Sequence, residues 1–210
     1  MARTSRVSRG VAALTLVPLL SFAAACGSDE SAPSPHGLSP DEPRVPITER
    51  AIAAIMLDHL PGDTTDRAGQ YITTTSPHGQ IGAELRYNGG PGEDGDLVRA
   101  TVTPGDPGVD CLPRWCAELE TDVVGAVMQL RWDIGVPEEE PGAVGVMLQR
   151  AGEYTYVRQS GPMISGDPRE LDLPVSIEEM VAVAEDAWLR LDTSTEAVRA
   201  GDALKGWNGH

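Results

Sequence analysis

Phenylalanine is almost missing from this sequence: Phe22 is the only one in 210 residues, and aromatic residues make up 4% of the chain. A core must therefore be assembled from Val, Leu, Ile and Met with the four Tyr and four Trp, which suffices for one domain but not a thick one. Cations are scarce as well, 16 Lys and Arg against 32 Asp and Glu, for a net charge of −16. A surface of that sign repels phosphate backbones and anionic headgroups, so no nucleic acid partner is expected and the acidity reads as solubility outside the cell. No apolar run reaches the ~20 residues that span a bilayer. The longest, VAALTLVPLLSFAAA over residues 11–25, contains Pro18.

The devices of common enzymes are missing too. There is no HExxH, no G-x-S-x-G, no P-loop and no glycine fingerprint behind a strand. His36, His59, His78 and His210 are scattered along the chain, and no cysteine or histidine stands at metal-site spacing, so neither a metal nor a cofactor is expected. Paired carboxylates suffice for glycoside chemistry, but with 32 acids available their abundance identifies none without geometry. The acid runs EDGD (93–96) and EEE (138–140) lack the EF-hand ligand pattern and read as solvated hairpin tips.

What is present begins with an address. MARTSRVSRG carries Arg3, Arg6 and Arg9 and no acid ahead of the apolar run, so residues 1–25 have the n-region and h-region of a signal peptide. The arginines are never adjacent, which removes the twin-arginine signature. Loss of these residues makes the remaining chain three units more negative. The run ends in small residues and Cys26, followed by GSDESAPSP, and in this it resembles the lipobox of bacterial lipoproteins. The resemblance implies that the Cys26 sulfur receives a diacylglyceryl group with chains of the palmitate type, and that cleavage makes Cys26 the first mature residue. Two acyl chains hold stably where one is marginal. Ala23 stands where that family prefers Leu, and Ala23-Ala24-Ala25 also satisfies the A-x-A rule of ordinary signal peptidase at the same bond, so a free secreted protein is the alternative. Cysteine parity favours the lipid: of three cysteines, consuming Cys26 leaves an even pair.

Residues 27–46 hold five prolines and few large apolar residues, and read as a disordered tether spanning roughly 25 Å on average. Residues 26–47 are thus assigned to the lipidated cysteine and tether, and 48–210 to one α+β domain. Thr48 is the expected N-cap of a helix of about twelve residues with Ile52, Ile55 and Met56 on one face, stopped by Pro61-Gly62. Period-two alternation then predicts six strands, in QIGAELRY, LVRATVT, AELE, AVMQLRWD, AVGVMLQR and EYTYVRQ, the last with Tyr154 and Tyr156 on the packed face. Turn signals between them are spaced for hairpins, which predicts an antiparallel meander with one face covered by N- and C-terminal helices. Ser176 and Glu179 form a capping box before a stripe from Ile177 through Trp188 to Leu191, and the tail after Thr195 suits a short further helix.

CLPRWC (111–116) is the strongest local feature. In an oxidising compartment Cys111 and Cys116 should form a disulfide, closing a loop too short to contribute more than about 2 kcal/mol. A catalytic dithiol would want C-x-x-C at a helix start, which this is not. The overall layout and this loop are similar to a group of small exported actinobacterial lipoproteins of unassigned activity, a resemblance that implies no catalytic residues. A crosslinked loop presents Arg114 and Trp115 at little entropic cost, and these residue types dominate interface hot spots, so the two are the candidate contact residues. The opposing expectation folds Trp115 back over the sheet edge and pairs Arg114 with an acid. The sequence thus points to a noncatalytic, membrane-anchored binding module on the extracytoplasmic face, with an envelope protein as partner. The alternatives are an envelope hydrolase using paired carboxylates and a sensory accessory to a membrane partner.

Overall fold

The computed structural model describes residues 43–60, 62, 66–71, 79–87, 95–108, 111–112, 114–136 and 140–207, with the backbone alone for 66–71 and 140. Its elements in chain order are β1 (Arg44–Pro46), α1 (Glu49–His59), β2 (Asp66–Tyr71), β3 (Ile81–Tyr87), β4 (Asp96–Pro104), β5 (Cys116–Leu119), β6 (Val127–Val136), β7 (Glu140–Arg150), β8 (Glu153–Ser160), α2 (Ile177–Glu185), β9 (Asp192–Ser194) and α3 (Thr195–Asp202), with a 3-10 turn at Pro168–Glu170.

Strands β2 to β8 form a seven-stranded sheet in the order β2-β3-β4-β8-β7-β6-β5, every neighbouring pair antiparallel. All six strands expected from alternation are present as β3 to β8. The seventh, β2, lies at one edge, and its DRAGQY sequence offers no alternation by which to find it. The meander runs in two parts. β2-β3-β4 and β5-β6-β7-β8 are each continuous, and β8 closes against β4, so the connection carrying CLPRWC travels from the interior of the sheet to its far edge.

One sheet face packs under the helices. Ala83, Ala100, Val157, Val146 and Leu130 stand side by side across five strands, all fully buried, with Leu85, Val98 and Val144 in the next row. The alanines on β3 and β4 leave room for α1, which packs against β2, β3 and β4, while α2 packs on β7 and β8. α1 starts where the sequence placed it, with Thr48 Oγ1 accepting from the Ala51 N–H, but Ala51 to Met56 are all buried, not one stripe. The reason is that α3, and to a lesser extent α2, pack against α1 in addition to the strands. A Cβ at Gly201 would lie 2.5 Å from the Ala51 nitrogen, so this close crossing requires glycine. Arg50 fixes it, donating to the carbonyls of Gly201, Asp202 and Leu204 at the end of α3.

Three expectations are corrected. First, the fold includes residues ahead of Thr48: Arg44–Pro46 pairs with β9 and Ile47 is buried, so these four belong to the domain. Second, α2 has its capping box but ends at Glu185 instead of running to Leu191. The Asp186 carboxylate accepts from the Trp188 N–H at 2.8 Å and from His59 Nε2 at 2.8 Å, if that nitrogen is the protonated one, and this local turn competes with another helical turn. Third, Tyr154 and Tyr156 face away from the helices, and Glu153, Thr155, Val157 and Gln159 are the buried residues of β8. The two-residue turn Ala151-Gly152 pairs Arg150 with Glu153, which sets Thr155 opposite Leu148 and fixes the parity of the whole strand.

Candidate binding cleft beside the disulfide loop

The sheet face turned from the helices carries a row of polar side chains. In register across the strands stand Glu84, Arg99, Arg158, Gly145, Arg131 and Cys116. Glu84 and Arg99 form an ion pair. Arg131 is oriented by its strand neighbour Gln129, whose side-chain oxygen accepts from Nε at 3.1 Å and from Nη2 at 2.9 Å. At Gly145 a Cβ would come within 2.7 Å of the Tyr156 ring and 2.8 Å of the Val157 carbonyl oxygen, so the missing side chain is what lets the ring lie over β7.

At the β5 end of this row the CLPRWC loop builds a wall. Cys111 and Cys116 are bonded, with Cα atoms 5.2 Å apart. The Trp115 N–H donates to the Leu112 carbonyl at 2.9 Å, closing a turn, and the Trp115 carbonyl accepts from the Trp132 N–H at 3.0 Å, which fastens the loop to β6. Trp115 is half-buried against the margin of the core. Arg114 is exposed and its guanidinium stacks over the Trp115 ring at 4.6 Å. The expected folding-back of Trp115 is thus half realised, and Arg114 partners the indole. Between loop and sheet lies a cleft of about 220 Å³, lined by Leu112, Trp115, Cys116, Arg131, Asp133 and Tyr156 among others. Leu112 stands 63% exposed at its rim. Burial pushes the Tyr156 hydroxyl above its usual range, with Arg158 and Arg131 opposing and Asp133 reinforcing, so at neutral pH it is a protonated donor. Aromatic faces, guanidinium donors and a hydroxyl together suit recognition of a partner.

A broader, more open depression of about 530 Å³ lies at Glu120, Thr121, Asp122 and Glu185. Its three acids are where a hydrolase's carboxylate pair would be sought among the residues lining this depression. Glu185 Oε1, however, accepts from the Thr121 hydroxyl at 2.7 Å and the Asp122 N–H at 3.2 Å, tying the β5–β6 loop to the end of α2. Among the described residues no group of three or more His, Cys, Asp or Glu side chains could hold a metal ion, and no helix is long and apolar enough to cross a membrane.

No protein-family model, no curated protein and no solved structure matches this chain.

Of the site residues read from sequence, the structure brings Cys111, Cys116, Arg114 and Trp115 together at one cleft. Cys26, His36, His78, His210 and the acids of the EEE run lie outside the described residues or their side chains do. Tyr156, Arg158 and Arg131 were missed. Counting parity outward from the Ala151-Gly152 turn would have placed both Tyr156 and Arg158 on the open face.

Proposed function

We propose that this protein is a noncatalytic binding module of the cell envelope, held at the extracytoplasmic face of the membrane by a lipid on Cys26, which engages a protein partner through the cleft beside CLPRWC. The observation that carries the reading is the setting of Trp115. It is backed by a disulfide, bonded through its backbone to β6, covered by Arg114 and half-open beside Tyr156 and Arg131. Trp, Tyr and Arg are the residue types that anchor interfaces, and a crosslinked turn loses little freedom on binding. The signal-like leader, the lipobox resemblance and cysteine parity support the address, and a disulfide is in keeping with an oxidising compartment.

Two experiments test the two halves. In fractionated cells the wild-type protein should sediment with membranes and carry acyl chains, and Cys26→Ser should be released; wild type found unlipidated in the medium rejects the anchor. For the cleft, a photo-crosslinking residue in place of Leu112 should capture a discrete partner in intact cells, and Trp115→Ala should abolish the product. A product indifferent to Trp115→Ala, or release of soluble fragments from wall material by the purified protein, rejects the binding-module reading.

A further inference from the structure

β5 is the last strand of the sheet, and among the described residues no strand pairs with its outer edge. The Trp132 N–H bonds the Trp115 carbonyl, so by the alternation of an antiparallel ladder Ala117 and Leu119 also turn their backbone groups to β6. The N–H and C=O of Glu118, between them, point outward. Glu118 is exposed, and among the described residues nothing bonds to either group. Both ends of this short edge are held in place. The Cys111–Cys116 bond fixes its start, and Glu185 Oε1 accepts from the Thr121 hydroxyl and the Asp122 N–H just beyond its end. The depression lined by Glu120, Asp122 and Glu185 opens beside that end, and none of its described lining residues is a cation. A free edge is a template for another chain. Shortness and the Glu118 charge blunt this one against a like edge, not against a basic one.

We propose that the β5 edge receives an extended segment of the partner protein as an added strand, one that alternates basic and apolar residues. The inference deepens the binding-module reading and rests on it. Parity gives the pattern. Glu118 shares the open face with Cys116, while Ala117 and Leu119 are half-buried on the helix side. A Lys or Arg beside Glu118 and an apolar neighbour beside Leu119 therefore continue both faces of the sheet. Glu120 and Asp122 offer a second cation its place. A second copy of this chain does not fit, because two β5 edges paired at Glu118 would set that carboxylate against itself. From Cys116 to Glu120 is roughly 13 Å at about 3.3 Å per residue, so a short strand joins the depression to the cleft at Trp115. The residue entering that cleft is uncharged, since Arg131 and Asp133 both line it. Backbone bonds supply affinity, and an edge pinned at both ends loses little freedom on binding. The net charge of −16 draws a basic segment in.

The test uses the full chain purified in detergent and two capped octapeptides, one alternating Lys and Val and the other alternating Glu and Val. The Lys–Val peptide should bind and the Glu–Val peptide should not. On binding, amide exchange at Glu118 should slow by roughly tenfold or more, as a solvent-facing N–H gains a partner. Glu118→Gln removes the charge, keeps the edge, and should weaken binding by roughly threefold. Glu118→Pro also removes the N–H and sets its ring in the path of the added strand, so it should bind roughly tenfold more weakly still. Proline is tolerated where the N–H faces solvent, so both variants should unfold with the wild type. The exchange measurement on wild type decides the matter whatever the proline does to stability. Failure of the Lys–Val peptide to bind, its binding without slowed exchange at Glu118, or equal binding by the two Glu118 variants overturns the proposal. So does equal binding of the Glu–Val peptide. In cells, a Leu112 crosslink lost in Trp115→Ala but kept in Glu118→Pro overturns the added strand and leaves the binding module standing. A crosslink kept in both overturns the module itself.

Discussion

Arg150 Nη2 donates to the carbonyl of Ala184 across 3.0 Å, joining the end of β7 to the last turn of α2. Its Nη1 donates to Thr155 Oγ1 at 3.1 Å and to the Leu189 carbonyl at 3.4 Å. Burial holds the guanidinium below the usual arginine range, with Arg190 adding to the effect and Glu153, Asp186 and Glu185 opposing it. A cation at a helix C-terminus satisfies carbonyls that have no partner within the helix. Arg150→Met keeps the length and strands those carbonyls, so stability should fall by about 2–4 kcal/mol. The check is a lower urea midpoint at unchanged slope. An unchanged midpoint would mean that water replaces the guanidinium.

Tyr87 is 4% exposed, its hydroxyl has no hydrogen-bond partner among the described residues, and burial pushes its pKa up to about 12, Glu179 adding to the effect. The unfolded chain releases this proton near pH 10 and the folded one near 12. Stability tied to the neutral phenol is therefore complete below pH 10 and is lost as pH rises from 10 through 12, to an extent on the order of 2 kcal/mol. Tyr87→Phe should be neutral or stabilising at pH 7 and should flatten the alkaline decline between pH 9 and 12. A steep decline persisting in the phenylalanine variant assigns it to other groups.

Gln159 is fully buried on the helix side of β8, between Val98 and Val144, and among the described residues neither its amide oxygen nor its nitrogen has a hydrogen-bond partner. Gln159→Leu removes the desolvation penalty at similar volume and should raise stability by about 1–2 kcal/mol in urea titrations. A loss of stability would reveal a buried water bridging the amide.

Gly145→Ala should destabilise by about 1–3 kcal/mol, because the added methyl meets the Val157 carbonyl as well as the Tyr156 ring, and the carbonyl cannot move without parting the strands. The same methyl should displace the ring, and a lowered thermal unfolding midpoint checks the prediction.

Replacing Cys111 and Cys116 together by Ser should cost about 2 kcal/mol by loop entropy. The larger effect should be on recognition, through the freed Trp115 turn. Indole fluorescence should become more solvent-like, and the Leu112 crosslink should weaken even at temperatures where the domain stays folded.

Much of this fold was legible because each signal was local. Thr48, the Ser176–Glu179 box and the alternation of β3, β4, β6 and β7 depend on neighbours a few residues away. What escaped was set at a distance. β2 is a strand only because β3 offers it an edge, and α1 is buried all round only because α3 returns to it. Tyr156 misled because size argues for burial while hairpin parity decides the face. Arg158 was silent for a related reason: its significance is the residue across the sheet, which no window along the chain contains. CLPRWC announced itself because two cysteines six positions end to end need no fold to be noticed.

The return of β8 to β4 also governs how the molecule assembles. Each run of hairpins can zip from its own turns, on the microsecond scale of such elements. The β4–β8 seam, by contrast, joins strands with three others between them in the chain, and it must wait for a long loop to close before its contacts reward it. Until then β4 and β8 are both unpaired edges, open to the wrong partner. Arg99 and Arg158 meet in register at that seam, so the last join to form also carries a like-charge opposition, which Glu84 on the already paired β3 offsets by holding Arg99.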